Sequence, residues 1–290
     1  MKRIIIHGGC GARESAEITF TDYHQNLLPI IKEATVFLNQ SNDAIAAARL
    51  AAKLLEDNPI FNAGTGSRVQ QDGQIRMSAS YMDSVKNKFA AVINIQNIQH
   101  PSSVAYELHK QHHSILSAEH ATNFAYQNLK MKPYNPLIDS RWHEYLQFKE
   151  GFTGTIGVVA LDDNGTICAI TSTGGVGYEI PGRVGDSPTV AGNYASTIMG
   201  VACTGIGEEI INKAVAARVH TRVSDGMPLA DAVKKTIKEC DADGDYIGLI
   251  AIDQNGNIQT GTTKIAQTLY AYYDGSGYHT FFEELNGTNK

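Results

Sequence analysis

The sequence is poor in cysteine, in positive charge and in long apolar runs. Its four cysteines, which form no CxxC pair, are Cys10, Cys168, Cys203 and Cys240. This scatter argues against a disulfide framework and favours reduced thiols in apolar surroundings. Lysine and arginine number 24 against 30 aspartate and glutamate residues, giving a net charge of −6 at pH 7. With no basic cluster either, nucleic acid is not expected as a partner.

No apolar run suggests a signal peptide or a membrane span. The amino terminus reads MKRIIIHGGC and holds only three consecutive isoleucines, far too few for either. We therefore expect a cytoplasmic protein with no membrane partner. The 290 residues, of which 42% are hydrophobic and 19% charged, predict one globular body with a large core.

Hydrophobic periodicity predicts helices along much of the chain. They follow a strand candidate at 3–7 and span residues 23–38, 43–56, 103–112, 118–129, 206–219 and 228–239. Ser41 is available to cap the second helix, and the run KFAAVINIQ is typical of a strand. Residues 131–154 show no period, and we interpret them as a connecting segment.

Two stretches in the second half are typical of β-hairpins. GTIGVVALDDNGTICAITST has an Asn-Gly turn at 164–165, and IGLIAIDQNGNIQTGTT has one at 255–256. Apolar strands near both ends of the chain, with paired helices between them, predict two packed sheets between helix layers, an αββα sandwich. A doubly wound parallel sheet is the alternative, but consecutive hairpins disfavour it.

Thr155 is the first candidate for chemistry. It opens the first hairpin, whose pairing brings it alongside residues 171–173. Considered alone, Thr155 is interpreted as an ordinary β-branched strand residue. The sequence offers no GxSxG signature to activate a hydroxyl. If the bond between Gly154 and Thr155 breaks, however, the freed α-amino group, with a pKa of roughly 7.7–8.0, becomes a base on the nucleophile's own residue.

Two further pairs suit an amino-acid substrate. Arg183 and Asp186 lie three residues apart in a loop rich in glycine and proline. They form either a surface ion pair or a site for the carboxylate and ammonium of an amino acid. Thr204 and Gly205 precede the predicted 206–219 helix, where they either cap it or form an oxyanion hole.

With these residues assembled, the chain resembles the plant-type L-asparaginase and isoaspartyl peptidase family of N-terminal nucleophile hydrolases. The likeness runs nearly end to end, and its motifs are HGGCGA at 7–12, NPIFNAGTG at 58–66, GTIG, TSTGG, PGRVGDSP, CTGIGEE and GLIAID. The family usually has alanine in place of Cys10. It also tends to have an acid and a glycine in place of Ser78 and Ser84, and more glycine at 245–247.

The resemblance implies a role for each candidate. Thr155 would be the nucleophile, Thr173 would orient it, and Asn62 would lie beside it. Arg183 and Asp186 would anchor the substrate. Thr204 and Gly205 would form the oxyanion hole, and Gly207 would line the same pocket.

The resemblance also implies how the chain matures. The αββα domain, residues 1–290, would split into 1–154 and 155–290, which would stay together and form a dimer of such pairs. No cofactor would be needed for catalysis. A structural sodium ion would be bound by the backbone carbonyls of Leu55, Glu56, Asn58, Phe61, Ala63 and Thr65.

The expected reaction is hydrolysis of the side-chain amide of L-asparagine, of β-aspartyl dipeptides, or of both, releasing L-aspartate. A glycosylated asparagine is an alternative substrate, which the cytoplasmic expectation disfavours. An amino-acid-binding protein that never cleaves itself is an alternative without enzymatic activity. A zinc hydrolase is a further alternative, suggested by His109, His112, His113 and His120, although HKQHH lacks the glutamate of HExxH.

Overall fold

The computed structural model describes residues 1–11, 18–148 and 154–287. Within these ranges the strands are β1 (Arg3–Gly11), β2 (Met77–Asp83), β3 (Lys88–Ile95), β4 (Ile115–Ser117), β5 (Thr155–Leu161), β6 (Ile167–Thr173), β7 (Asn193–Ala195), β8 (Met199–Gly205), β9 (Ile247–Asp253), β10 (Ile258–Thr262), β11 (Gln267–Tyr273) and β12 (Tyr278–Thr280). The helices are α1 (Phe20–Ser41), α2 (Ala44–Asp57), α3 (Pro101–His109), α4 (Ala118–Asn128), α5 (Asp139–Leu146), α6 (Gly207–Lys213), α7 (Val215–Ser224), α8 (Leu229–Asp243) and α9 (Phe281–Leu285).

The described strands form two sheets. The larger has eight strands in the order β12-β11-β1-β5-β6-β2-β3-β4, and the smaller has four in the order β10-β9-β8-β7. Neighbouring strands run antiparallel except β3 and β4, which are parallel. This is a mixed α/β architecture, and the order of the larger sheet differs from that of a doubly wound parallel fold.

The two sheets contact each other, and helices cover their outer faces. Strands β1, β5 and β6 of the larger sheet pack against β8 and β9 of the smaller one. Helix α2 contacts β5 and β6, while α7 contacts β8 and α8 contacts β10. Because β5, β6, β8 and β9 are covered on both sides, all their residues are buried, which explains why their sequences are apolar without alternation.

Helix α2 packs closely on the strands that carry the first candidate residues. Its buried face is formed largely by alanines, including Ala47, Ala48, Ala51 and Ala52, whose small side chains allow a short helix-to-sheet distance. Asp43 caps the helix by accepting from Ala46 N over 2.9 Å. The predicted cap at Ser41 is wrong, because that residue ends α1 and its hydroxyl donates to Phe37 O.

Both predicted hairpins form, but their turns are longer than an isolated Asn-Gly pair. In the first, Gly165 N donates to Asp162 O over 3.1 Å, and Asp162 N donates to Thr166 O. Gly165 has a φ of 79°, so the loop is a turn followed by a left-handed glycine. The second hairpin repeats these bonds between Gly256 and Asp253 and between Asp253 and Asn257.

Two further expectations are corrected by the structure. Residues 131–154 are not structureless throughout, since α5 occupies Asp139–Leu146; residues 149–153 of that segment lie outside the described ranges. The predicted 206–219 helix is interrupted at Ala214, which adopts a left-handed conformation with a φ of 48°. Apolar periodicity continues across this break, so sequence pattern alone did not reveal it.

The four cysteines are buried and form no disulfide, which confirms the prediction of reduced thiols in apolar surroundings. None of the helices in the described ranges is both long and apolar enough to cross a lipid bilayer.

Candidate active site

Thr155 and Thr173 lie opposite each other at one end of the first hairpin. Thr155 begins β5 and pairs with Thr173, the last residue of β6. Directly paired antiparallel residues project their side chains to the same face, so the two hydroxyl groups are neighbours, as the sequence predicts. Both residues are buried. Gly175 N donates to Thr173 Oγ1 over 3.1 Å, which leaves the proton of that hydroxyl for a further acceptor.

Gly154, which precedes the predicted cleavage point, lies in a space too small for a side chain. A methyl group on Gly154 would lie 2.7 Å from Asn62 Cβ, and one on Gly9 would lie 3.2 Å from Gly154 Cα. Asn62 is itself held at both ends of its amide. Its Nδ2 donates to Gly175 O over 2.6 Å, and its Oδ1 accepts from Arg68 N over 3.0 Å. The backbone at the predicted cleavage point is therefore confined between β1 and the loop that carries Asn62.

Thr204 comes from the smaller sheet and meets an irregularity in β1. The register of β1 against β11 shifts between His7 and Cys10, and Cys10 N donates to Thr204 Oγ1 over 2.9 Å. Because this oxygen accepts a bond, the Thr204 hydroxyl is left to donate its own proton. Gly205 follows with a φ of 143°, and a methyl group there would overlap the Tyr246 carbonyl oxygen. Only glycine fits this position.

Arg183 forms its ion pair with Glu208, not with Asp186. Its Nε donates to Glu208 Oε1 over 2.7 Å, and its Nη2 donates to Glu208 Oε2 over 2.5 Å. The local Arg183–Asp186 ion pair considered from the sequence is therefore absent from the contacts of these described residues. A guanidinium has five N–H donors, and Glu208 uses two of them. Three donors remain for another carboxylate.

Asp186 is a buried carboxyl group with an unsatisfied oxygen. Its side chain is 3% exposed, and Oδ2 has no hydrogen-bond partner among the described residues. Burial raises the pKa of Asp186 to about 7, although the nearby Arg183 opposes the rise. A methyl group on Gly207 would lie 2.9 Å from both Arg183 Nη2 and Asp186 N. The structure thus brings Arg183, Asp186 and Gly207 together. The unsatisfied Oδ2 of Asp186 is available to accept a hydrogen bond from a bound donor.

Hydrogen bonds fasten the loop that carries Asp186 to β6 and β8, the strands of Thr173 and Thr204. The carbonyl of Ser187 accepts from Thr171 Oγ1 over 2.8 Å, which ties the loop to β6. Cys203 N donates to Gly192 O over 2.8 Å, which ties it to β8. A methyl group on Gly192 would lie 2.5 Å from Asp186 Oδ2. The candidate residues of β5, β6, β8 and this loop therefore converge on one region.

Two titratable groups beside the threonines are poor bases or nucleophiles. His7 is fully buried on β1 opposite Gly157, and burial lowers its pKa to about 3, opposed by the backbone of Thr155. Its imidazole is neutral and weakly basic at neutral pH. Burial also raises the pKa of the Cys10 thiol to about 12, so it stays protonated.

The six residues suggested for sodium binding lie at the end of α2 and in the loop after it. Thr65 N donates to Glu56 O over 2.7 Å and closes this loop, while Phe61 N donates to Asn58 O over 3.2 Å. The Glu56 carboxylate is fully buried, accepting from Ser102 and from Ser172 Oγ. Two of the six predicted carbonyl ligands therefore already accept one backbone bond each, and each keeps a second lone pair.

The four histidines of the zinc alternative do not form a site. His109 is buried against Tyr81 and Asp83, whereas His112, His113 and His120 are exposed. No group of three or more His, Cys, Asp or Glu side chains in the described part of the chain is arranged to hold a metal ion.

Of the positions that depart from the family pattern, Ser78 and the 245–247 segment lie close to the site, whereas Ser84 does not. Ser78 pairs with Thr173, and its hydroxyl accepts from Asn94 N over 3.1 Å. Ser84 Oγ accepts from Ile167 N over 2.9 Å at the far end of β6. In the 245–247 segment, Tyr246 O accepts from Ile206 N over 3.0 Å, directly after Gly205, and Tyr246 N donates to Glu209 Oε2 over 2.6 Å.

Sequence reasoning missed Glu208 and His7. The signal for Glu208 was present, because CTGIGEE places two acids directly after Gly207. Its pairing with Arg183 depends on a loop 25 residues earlier in the chain and had no local signature. His7 was noted only within the HGGCGA motif.

Comparison with known proteins identifies relatives along nearly the whole chain. The sequence profile of a family described as asparaginase matches residues 1–153 and 147–283. An isoaspartyl peptidase/L-asparaginase of Synechocystis sp. is 40% identical, with 98% of this chain and 92% of the relative covered. The isoaspartyl peptidase of Escherichia coli is 36% identical over 88% of each chain. A plant-type L-asparaginase of Pyrococcus horikoshii is 33% identical, with 89% of this chain and 92% of the relative covered. The resemblance predicted from the motifs is confirmed.

Proposed function

Because this chain belongs to the asparaginase family, we propose that it cleaves itself before Thr155 and then hydrolyses the side-chain amide of L-asparagine, of β-aspartyl dipeptides, or of both. L-aspartate is the product. The observation that carries this proposal is the unsatisfied, buried oxygen of Asp186 beside the Arg183 guanidinium. A carboxylate next to a guanidinium matches the ammonium and carboxylate groups of an α-amino acid.

The same proposal covers the architecture. The packed sheets with helices on their outer faces support the αββα sandwich of the N-terminal nucleophile hydrolases, formed by a single domain of residues 1–290. Cleavage divides it into 1–154 and 155–290, of 154 and 290 − 154 = 136 residues. Because β5 pairs with β1 and β6 with β2, the two fragments share one sheet and stay together.

Self-cleavage begins with attack of Thr155 Oγ on the carbonyl carbon of Gly154. An O–C bond forms, the C–N bond breaks, and the hydroxyl proton passes to the nitrogen, leaving an ester. Water then hydrolyses this ester, producing a Gly154 carboxylate and a Thr155 with both its hydroxyl and a free amine. The close contact of Gly154 with Asn62 confines the reacting peptide, which favours one geometry over many.

In the mature protein the Thr155 amine acts as the base for its own hydroxyl. The neutral His7 and the protonated Cys10 do not compete for that role. The hydroxyl attacks the substrate amide carbon, and ammonia or an amino acid leaves with a proton from the ammonium group. Water then hydrolyses the aspartyl ester. Thr173 orients the nucleophile, and the Thr204 hydroxyl and Gly205 N–H stabilise the oxyanion, each donor contributing roughly 3–4 kcal/mol.

Arg183 binds the α-carboxylate of the substrate through the donors that Glu208 leaves open, and Glu208 holds the guanidinium in place. Asp186 accepts from the α-ammonium group, with Gly207 keeping the space between them clear. These contacts recognise only the head group. They fit asparagine, β-aspartyl dipeptides and glycosylated asparagine equally, so the leaving group is assigned by the names of the relatives, of which one is called isoaspartyl peptidase/L-asparaginase.

A sodium ion bound by Leu55, Glu56, Asn58, Phe61, Ala63 and Thr65 belongs to the same proposal. The closure of this loop by Thr65 and Glu56, and the buried Glu56 carboxyl group beside it, support a site for a monovalent cation. Such an ion would stiffen the loop that carries Asn62 and take no part in the chemistry. A dimer of fragment pairs is likewise proposed, on the resemblance alone.

The first test is the state of the purified protein. After incubation at neutral pH we expect two fragments, with Thr155 at the amino terminus of the smaller one, and hydrolysis of asparagine or a β-aspartyl dipeptide. Thr155→Ala should abolish both, whereas Thr21→Ala, an exposed control, should change neither. A single intact chain without hydrolysis would favour the amino-acid-binding alternative.

The second test separates binding from chemistry. Arg183→Ala should raise KM for both substrates far more than it lowers kcat, because it removes the α-carboxylate contact. Parallel kinetics on asparagine, a β-aspartyl dipeptide and glycosylated asparagine then rank the three leaving groups. An unchanged KM in the variant would contradict the role of Arg183.

A further inference from the structure

Helix α5 lies just upstream of the predicted cleavage point and is fastened to the loop that confines Gly154. Arg141, 5% exposed, donates from Nε to Gly66 O over 2.8 Å and from Nη2 to Ile60 O over 3.4 Å. Both carbonyls belong to the loop that carries Asn62. A helix in the connecting segment is thereby attached to one side of the candidate site.

Glu144 extends this attachment toward the cleavage point. Its Oε1 accepts from Arg141 Nη1 over 2.6 Å, and its Oε2 lies 3.4 Å from Arg68 Nε. Arg68 in turn donates from its backbone N–H to Asn62 Oδ1. A continuous series of contacts therefore runs from α5 through Glu144 and Arg68 to Asn62, against which Gly154 packs.

The charges explain why Glu144 is central to this attachment. It lies between two guanidinium groups that are both largely shielded from solvent. Burial and the nearby Arg141 lower the pKa of Arg68, and Glu144 opposes that shift. Without the carboxylate, two like charges would face each other in a poorly solvated space, and separation of α5 from the loop would relieve their repulsion.

Aromatic contacts hold the end of α5 as well. The ring of Tyr145 lies 6.0 Å from that of Tyr178, and Phe148 meets Tyr178 edge to face at 5.3 Å. Tyr145 Oη also donates to Gln71 O over 3.3 Å. Within the connecting segment, contacts therefore hold α5 and Phe148 before residues 149–153 and Gly154 after them.

We propose that Arg141 and Glu144 are positioning residues for self-cleavage: by fastening α5 to the Asn62 loop they hold the Gly154–Thr155 peptide where the hydroxyl attacks it. This inference rests on the proposed self-cleavage. It assigns α5 no part in hydrolysis by the mature protein, because the reacting groups of that step, the Thr155 amine and hydroxyl, no longer depend on the connecting segment.

Chain statistics set the expected size of the effect. With α5 and Phe148 attached, the tether, which is the chain between Phe148 and Gly154, holds 153 − 148 = 5 residues. If α5 separates, the next attachment upstream is the bond from Gly66 N to Pro136 O, and the tether grows to 153 − 136 = 17 residues. Since closure probability falls as about the 3/2 power of length, complete separation of α5 and Phe148 should slow cleavage roughly sixfold.

The test is a time course of cleavage after cell-free synthesis of the full chain, with translation stopped and the intact fraction followed by gel. Arg141→Met and Glu144→Gln should each lengthen the half-time several-fold, up to about sixfold. Ser140→Ala, an exposed change on the same helix, should leave it unchanged. Once fully cleaved, all variants should turn over substrate within twofold of the parent.

Several outcomes would overturn the inference. One is an unchanged or shorter half-time in Glu144→Gln, which preserves side-chain shape and is the informative variant if Arg141→Met fails to fold. Another is an equal loss of turnover in the mature variants, which would show that α5 supports the whole site. A parent chain that never cleaves would instead refute the proposed self-cleavage, and is distinguished by the parent time course alone.

Discussion

Asp186→Asn should make the uncleaved, unliganded protein more stable at alkaline pH while impairing its activity. In the folded chain the Asp186 carboxylate is buried with one oxygen unsatisfied, and its pKa is about 7 against an ordinary 3.8. The folded state therefore holds this proton at pH values where the unfolded chain has lost it. Stability then falls as the pH rises from about 4 to about 7 and stays low above that range.

The size of the effect follows from the pKa difference. The interval 7 − 3.8 = 3.2 corresponds to about 4 kcal/mol, at about 1.4 kcal/mol per pH unit. Asparagine keeps the shape of the side chain but carries no charge. The free energy of unfolding of the Asp186→Asn variant should therefore exceed that of the parent by up to this amount at pH 8. Below about pH 4 both forms are neutral in the folded state, and the difference should disappear.

The assay is urea unfolding at pH 8 and at pH 4 in a Thr155→Ala background, which keeps the chain in one piece. Asp225→Asn, at an exposed position, serves as the matched control and should shift neither curve. In the cleavable background, Asp186→Asn should raise KM because the substrate ammonium loses its acceptor. Equal unfolding free energies for parent and Asp186→Asn at pH 8 would refute the unpaired, buried carboxylate.

Three other changes address separate parts of the site. Gly154→Ala should slow self-cleavage at least tenfold, because its methyl group would lie 2.7 Å from Asn62 Cβ; a gel time course matching the parent would contradict this. Thr204→Val should lower kcat about 10²- to 10³-fold with little change in KM, and Thr204→Ser should retain most activity; steady-state kinetics in which valine matches serine would exclude the oxyanion role. Glu208→Ala should raise KM several-fold with kcat within twofold, since Arg183 loses two hydrogen bonds; Michaelis curves superimposable on the parent's would show that Glu208 does not orient Arg183.

Much of the fold was predictable where it depends on neighbours in the chain. The register of Thr155 with Thr173 follows from two apolar strands joined by a short loop that contains Asn-Gly. Asp162 and Asp253 repeat the same turn bonds in the two hairpins, as the similar stretches DDNGT and DQNGN suggest. The break at Ala214 was missed, because apolar residues continue at helical spacing on both sides of it.

The sequence by itself determined which residue types were available for chemistry, and it identified the family through motifs in a particular order. Short-range rules suffice there, since a short apolar run indicates a buried strand, a turn selects glycine, and a motif consists of adjacent residues. Only the tertiary structure decided that Arg183 pairs with Glu208, that Asp186 keeps an unsatisfied oxygen, and that α5 is fastened to the Asn62 loop. Those outcomes depend on the distance and solvation of groups far apart in the chain, which become defined only when the layers pack.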